Sequence, residues 1–122
     1  MARSRLLLVD DDPAFLDSFR ELLADDGYDV EVARDGREGL EKARRGPPDL
    51  IVLDLRMPIL GGAGFLSARG ADPGLAAVPV LLFTAFDEDE ATRAVPVFEK
   101  PLGLPRLLSE IHRLAPGPRR AA

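Results

Sequence analysis

The fold class this 122-residue sequence predicts is α/β, a doubly wound five-stranded parallel sheet with five helices, the fourth shortened. Three observations predict it. Short, wholly apolar runs recur along the chain and stop at acids or turn residues, the pattern of strands buried on both faces. Helical stripes of apolar residues lie between successive runs, so strands and helices alternate, which places helices on both faces of a parallel sheet. The length suits one continuous core, and 46% hydrophobic with 30% charged residues is the composition of an ordinary globular domain.

The first strand is Leu6-Leu7-Leu8-Val9, ended by Asp10-Asp11-Asp12. A helix follows, with Asp12 as N-cap, Pro13 at its first position, Phe15, Phe19, Leu22 and Leu23 on one stripe, and Gly27 as its C-cap. Residues 30–33 form the second strand. Asp35 caps the second helix, which runs to Gly46 with Leu40 and Ala43 facing inward. Residues 50–53 make the third strand, and a third helix follows Gly62, with Gly61-Gly62 serving turn geometry at its start. Residues 80–83 make the fourth strand. The fourth helix, residues 87–93, is short and acidic. The fifth strand, 95–98, is interrupted by Pro96 and therefore belongs at a sheet edge. A last helix from Pro105 carries Leu107, Leu108, Ile111 and Leu114 at helical spacing and ends at Ala115-Pro116-Gly117-Pro118. Residues 1–115 are read as the domain, and 116–122 as a flexible tail or the start of a linker.

Composition narrows the function. Without cysteine, and with one histidine, thiolate metal sites, disulfides and a cysteine nucleophile are excluded, so any metal must be held by oxygen. No apolar run approaches the roughly 18 residues of a membrane span, and the apolar run after Ser4 is too short for a signal peptide. A cytoplasmic protein without membrane contact is expected. A net charge of −5, with no basic cluster before Arg119-Arg120, argues against direct nucleic-acid binding.

In an open α/β sheet, ligands sit beyond the carboxyl ends of the strands. Asp10, Asp11 and Asp12 stand after the first strand, Asp54 after the third, Thr84 after the fourth and Lys100-Pro101 after the fifth. Asp10, Asp11 and Asp54 would repel one another unless a cation sat among them, which calls for Mg²⁺ or, alternatively, Mn²⁺. Two carboxylates on such an ion leave room for waters and a phosphoryl oxygen, while Lys100 and the Thr84 hydroxyl can stabilise the other oxygens. The nucleophile would be a carboxylate. The chain uses Arg fourteen times and Lys only at positions 42 and 100, so a compact point charge is wanted at Lys100. Asp12 reads as a structural cap, and His112, away from the rim, as a structural residue.

These residues carry a resemblance. Leu-Leu-Val-Asp-Asp-Asp-Pro at 7–13, Pro-Asp-Leu-Ile-Val-Leu-Asp-Leu-Arg-Met-Pro at 48–58, Leu-Leu-Phe-Thr-Ala at 81–85 and Glu-Lys-Pro at 99–101 stand in order. Over about residues 5 to 114 the chain resembles the receiver domains of bacterial two-component response regulators. The resemblance implies the flavodoxin-like strand order 2-1-3-4-5, which the family itself exemplifies. It further implies Asp54 as phosphoacceptor, Asp10 and Asp11 as Mg²⁺ ligands with Asp54 and the Arg56 backbone carbonyl, Thr84 and Lys100 at the phosphoryl group, and a cis Lys100-Pro101 bond. The activity implied is that of a phosphorylation-dependent switch, an enzyme only toward its own phosphorylation and dephosphorylation. A histidine kinase or phosphotransfer protein would be the donor, and a downstream protein or a C-terminal output domain would read the state. The chain departs from the family at Val97, where members commonly carry Tyr or Phe, and in the stretch between Thr84 and Lys100, which is about six residues short, or roughly one and a half helical turns. Arg56 and Phe86 occupy the positions that govern access of hydrolytic water in the family, and their bulk implies slow self-dephosphorylation.

Two other readings compete. A haloacid-dehalogenase-like phosphatase would use Asp10 and Asp12 as nucleophile and acid/base, but this chain lacks the threonine soon after the second aspartate and a cap. A receiver-like module that is never phosphorylated would not need the intact set of Asp10, Asp11, Asp54, Thr84 and Lys100.

Overall fold

The computed structural model describes residues 3–85 and 95–116. Its elements run β1 (Arg5–Val9), α1 (Pro13–Asp25), β2 (Asp29–Ala33), α2 (Gly36–Arg45), β3 (Leu50–Leu53), α3 (Gly62–Ala71), β4 (Val80–Thr84), β5 (Val97–Glu99) and α4 (Leu104–Leu114). The strands form one parallel sheet in the order β2-β1-β3-β4-β5. This is the expected doubly wound arrangement. Four helices are present among the described residues, and the short helix expected over 87–93 lies outside them, as do Phe86 and residues 117–122 of the expected tail.

Alternation along the strands divides the core between the two faces of the sheet. Leu6, Leu8, Leu50, Val52, Leu81 and Phe83 pack with Leu16, Phe19 and Leu23 of α1 and with Leu107 and Ile111 of α4. Leu7, Val9, Ile51, Leu53, Val80 and Leu82 pack on the other side with Leu40 and Ala43 of α2 and Phe65 of α3. Both faces are covered, which is why the central strands read as unbroken apolar runs.

The helix ends follow the chemistry of the sequence. The Asp12 side chain accepts from the amides of Ala14 and Phe15, and Pro13 opens α1. Asp35 accepts from the Glu38 amide and caps α2, which closes at Gly46 as expected. The C-cap of α1 is Asp26, one residue before the expected Gly27; Gly27 follows in the left-handed region at φ 96 and lets the chain turn toward β2. Gly62 is the first residue of α3 rather than the residue before it. A Cβ there would lie 2.9 Å from both the Asp54 carbonyl oxygen and Leu55 Cα, so this glycine permits close approach to the end of β3.

The fifth strand also begins later than residue 95. Pro96 has no N–H to give the ladder, but its carbonyl accepts from the Leu82 amide at 2.9 Å, and regular pairing starts at Val97. Pro116, expected to start the tail, is tied back by the Ser4 hydroxyl, which donates to its carbonyl at 3.0 Å.

Candidate functional site

Strand order decides where a site can form. The chain leaves β1 for β2 on one side and returns to β3 on the other, so the crevice lies beyond the carboxyl ends of β1 and β3. Main-chain bonds that continue the ladders fix three key residues at this rim. The Asp10 amide donates to Ala33 O at 3.0 Å, the Asp54 amide to Val9 O at 2.9 Å and the Lys100 amide to Thr84 O at 2.9 Å. Each of the three therefore stands one residue past the last paired position of its strand. Thr84 ends β4 and is buried.

Asp10 and Asp54 are only 3% and 7% exposed, whereas Asp11 faces solvent. Buried carboxylates need partners. Asp10 Oδ1 accepts from the Asp12 amide at 3.0 Å, and Oδ2 accepts from Lys100 Nζ at 2.5 Å. Asp54 Oδ1 accepts from the Leu55 amide at 2.8 Å, and Oδ2 lies 3.7 Å from Lys100 Nζ. Burial pushes the Asp10 carboxyl above its ordinary range and the neighbouring Asp54 charge adds to this, while Lys100 and the Asp12 amide oppose it.

Asp10, Asp11 and Asp54 each offer a carboxylate oxygen, all within 4.8 Å of one another. Oxygens sharing one Mg²⁺ at about 2.1 Å lie up to roughly 4.2 Å apart, so small side-chain movements would gather these three on one ion. The donors are hard and anionic, which is compatible with Mg²⁺ binding.

All five residues singled out at strand ends for this chemistry, Asp10, Asp11, Asp54, Thr84 and Lys100, stand at this rim. Arg56 is exposed in the loop after β3. The Lys100-Pro101 bond is cis, as the resemblance implies. Asp12 does not join the cluster of carboxylates, because its side chain caps α1. His112 lies on α4, stacked on Tyr28 and 3.2 Å from Asp26, consistent with a structural residue. The sequence reading missed an aromatic contact at the site. Lys100 Nζ lies 4.5 Å from the centroid of the Phe15 ring and 5.8 Å from that of Phe83. The run Asp12-Pro13-Ala14-Phe15 held a signal for it, since a cap and a proline there put Phe15 in the first turn of α1, beside the rim.

The chain matches the model of the response regulator receiver domain over residues 6–112. A response regulator receiver protein of Anaeromyxobacter sp. is 39% identical over 108 residues, covering 85% of this chain and 45% of that protein. The response regulator MprA of Mycobacterium leprae is 39% identical over 119 residues, covering 90% of this chain and 50% of that protein. The chain thus spans about half the length of these curated relatives. Among solved structures, the Vibrio cholerae chemotaxis protein CheY4 superposes with a TM-score of 0.83 at 31% identity, covering 93% of this chain and 99% of that one.

Proposed function

The chain belongs to the response regulator receiver domain family of two-component signalling, and from that premise we propose that it is a Mg²⁺-dependent phosphoacceptor switch modified on Asp54. One observation carries the proposal. The Asp54 carboxylate lies buried at the end of the central strand β3, clustered with two further carboxylates and 3.7 Å from the Lys100 ammonium.

Asp10, Asp11, Asp54 and the Arg56 backbone carbonyl would hold Mg²⁺, with Mn²⁺ as the alternative. Bound there, the ion supplies positive charge that offsets phosphoryl and carboxylate oxygens. Asp54 Oδ2, the oxygen toward Lys100, attacks phosphorus. A P–O bond to Asp54 forms as the P–N bond of a phosphohistidine breaks and the imidazole leaves. Lys100 moves from Asp10 to the transferred group, and the Thr84 hydroxyl donates to another of its oxygens. Thr84 ends β4 and Lys100 directly follows the adjacent β5, with a main-chain bond from the Lys100 amide to Thr84 O, so both can report the same event to the β4–β5 edge.

The donor is a histidine kinase or a phosphotransfer protein, and the setting is the cytoplasm. Among the described residues no helix is long and apolar enough to cross a membrane. Output passes to a downstream protein or to a further domain, with no direct contact between this domain and nucleic acid. A phosphatase using Asp12 is disfavoured, because one Asp12 oxygen is held by two helix amides.

Labelling with radioactive acetyl phosphate tests the proposal. Wild-type protein should take up label with Mg²⁺ and lose that capacity when the ion is chelated, and Asp54→Asn should take up none. Undiminished labelling of Asp54→Asn would overturn the assignment.

A further inference from the structure

We propose that Phe15 is a positioning residue for Lys100, holding its ammonium over the ring face so that it stays beside Asp54 when Asp10 turns to a metal ion. The inference rests on the reading of Asp54 as phosphoacceptor. Lys100 Nζ bonds Asp10 Oδ2 at 2.5 Å and is farther, at 3.7 Å, from Asp54 Oδ2. Asp10 is also one of the three carboxylates that could share a cation. Once an ion claims Asp10, Lys100 loses its nearest partner, and a flexible four-carbon stem gives the ammonium many places to go.

The rings supply what the carboxylate no longer would. An ammonium within about 6 Å of an aromatic centroid is drawn to the ring face, which takes no proton from it. Phe15 meets that criterion at 4.5 Å and Phe83 at 5.8 Å. Phe15 is backed by Phe19 at 5.3 Å and Phe83 at 5.8 Å between centroids, and Phe19 and Phe83 lie 6.2 Å apart, so the platform cannot easily turn away.

The backbone ties this ring to the site. Asp12 Oδ1 accepts the Phe15 amide at 3.2 Å, and the Asp12 amide donates to Asp10 Oδ1 at 3.0 Å. Asp10, Asp12, Phe15 and Lys100 therefore close a circuit in which the cap of α1 sets the ring and the ring sets the ammonium. Phe15 packs against the edge of the core and is only partly buried, whereas Phe19 one turn on is fully buried, so the ring at position 15 lies where the core meets the rim and the Lys100 ammonium.

The test replaces Phe15 with ring-fluorinated phenylalanines, which keep the ring's shape while weakening the potential of its face, and with Leu in Phe15→Leu. Two readouts are needed. In metal-free protein and again in excess Mg²⁺, the Lys100 ε-methylene protons should be shielded by the ring in NMR spectra, and Phe15→Leu should remove that shielding. The rate of Asp54 labelling by acetyl phosphate should fall stepwise with fluorination, and by about three- to tenfold in Phe15→Leu, while the melting temperatures of the fluorinated proteins stay level. Label that ignores fluorination, or Phe15→Leu labelling as fast as wild type, would overturn the positioning role. Ring shielding present in both conditions, with no label on wild type, would support the Phe15–Lys100 contact and overturn the phosphoacceptor reading instead.

Discussion

Asp10 places a carboxylate where burial makes its charge costly. Its carboxyl is raised above the ordinary value of 3.8, first by burial, so the folded protein takes up this proton more readily than the unfolded chain does. Metal-free stability must then fall as pH rises from near that value through the raised one, and the cost of the ionised group persists at neutral pH. Asp10→Asn should therefore raise the melting temperature of metal-free protein at neutral pH. Mg²⁺ should raise the melting temperature of the wild type and leave that of Asp10→Asn nearly unchanged, a comparison that calorimetry makes directly. The two acids that follow should separate by role. Asp12 caps α1 through Ala14 and Phe15, so Asp12→Ala should lose about 1 kcal/mol in urea titration and still accept label. Asp11 is exposed and has an oxygen within the carboxylate cluster, so Asp11→Ala should keep its stability and lose Mg²⁺-dependent labelling. The reverse pattern would mean that the two acids had been assigned the wrong way round.

At the scale of elements, the site depends on how closely helices approach strand ends. The Gly62 amide donates to Leu55 O at 2.7 Å, which draws the first residue of α3 against the backbone that carries Asp54. Gly62→Ala would force a Cβ into the Asp54 carbonyl and Leu55 Cα, both rigid main chain. The expected result is a loss of roughly 1–3 kcal/mol in urea titration together with slowed labelling, because relief requires moving α3 or the end of β3. Normal labelling at full stability would show that the approach is not needed. A different device guards the edge strand β2. Lys42, on α2, donates to Val32 O at 2.5 Å and pairs with Glu38 at 3.2 Å, so one carbonyl on this edge strand is covered by a side chain of the chain itself. Lys42→Ala should cost about 1 kcal/mol without touching the rim, and labelling at the wild-type rate would separate this lysine from Lys100.

For the whole molecule, what the sequence made legible follows from what burial on two faces demands. β1, β3 and β4 lie inside the sheet with helices on both sides, so each is an uninterrupted apolar run and its limits agree with the sequence reading to within a residue. β5 was less legible because it is an edge strand, only half-buried, and Pro96 blurs where its pairing begins. The rim residues were legible because chemistry in this architecture is placed at strand ends, where Asp10, Asp54, Thr84 and Lys100 are also marked by a change from apolar to polar. The ring platform was legible only in part: the cap and proline put Phe15 in the first turn of α1, but the approach of Phe15 and Phe83 to Lys100 depends on how α1 lies across the sheet and on rotamers that no spacing encodes. The role of Gly62 escaped for a similar reason, as close approach between α3 and β3 is a tertiary fact. Asp54 as the single carboxylate that accepts the phosphoryl group is open to a direct chemical test. An acyl phosphate is reduced by borohydride to the corresponding alcohol, so treating acetyl phosphate-modified protein this way converts a phosphorylated aspartate to homoserine, which peptide mass spectrometry can locate. Homoserine at position 54, formed with Mg²⁺ and absent after chelation, is the predicted result, and homoserine at position 10 or 12, or none at position 54 in protein that carries label, would contradict it.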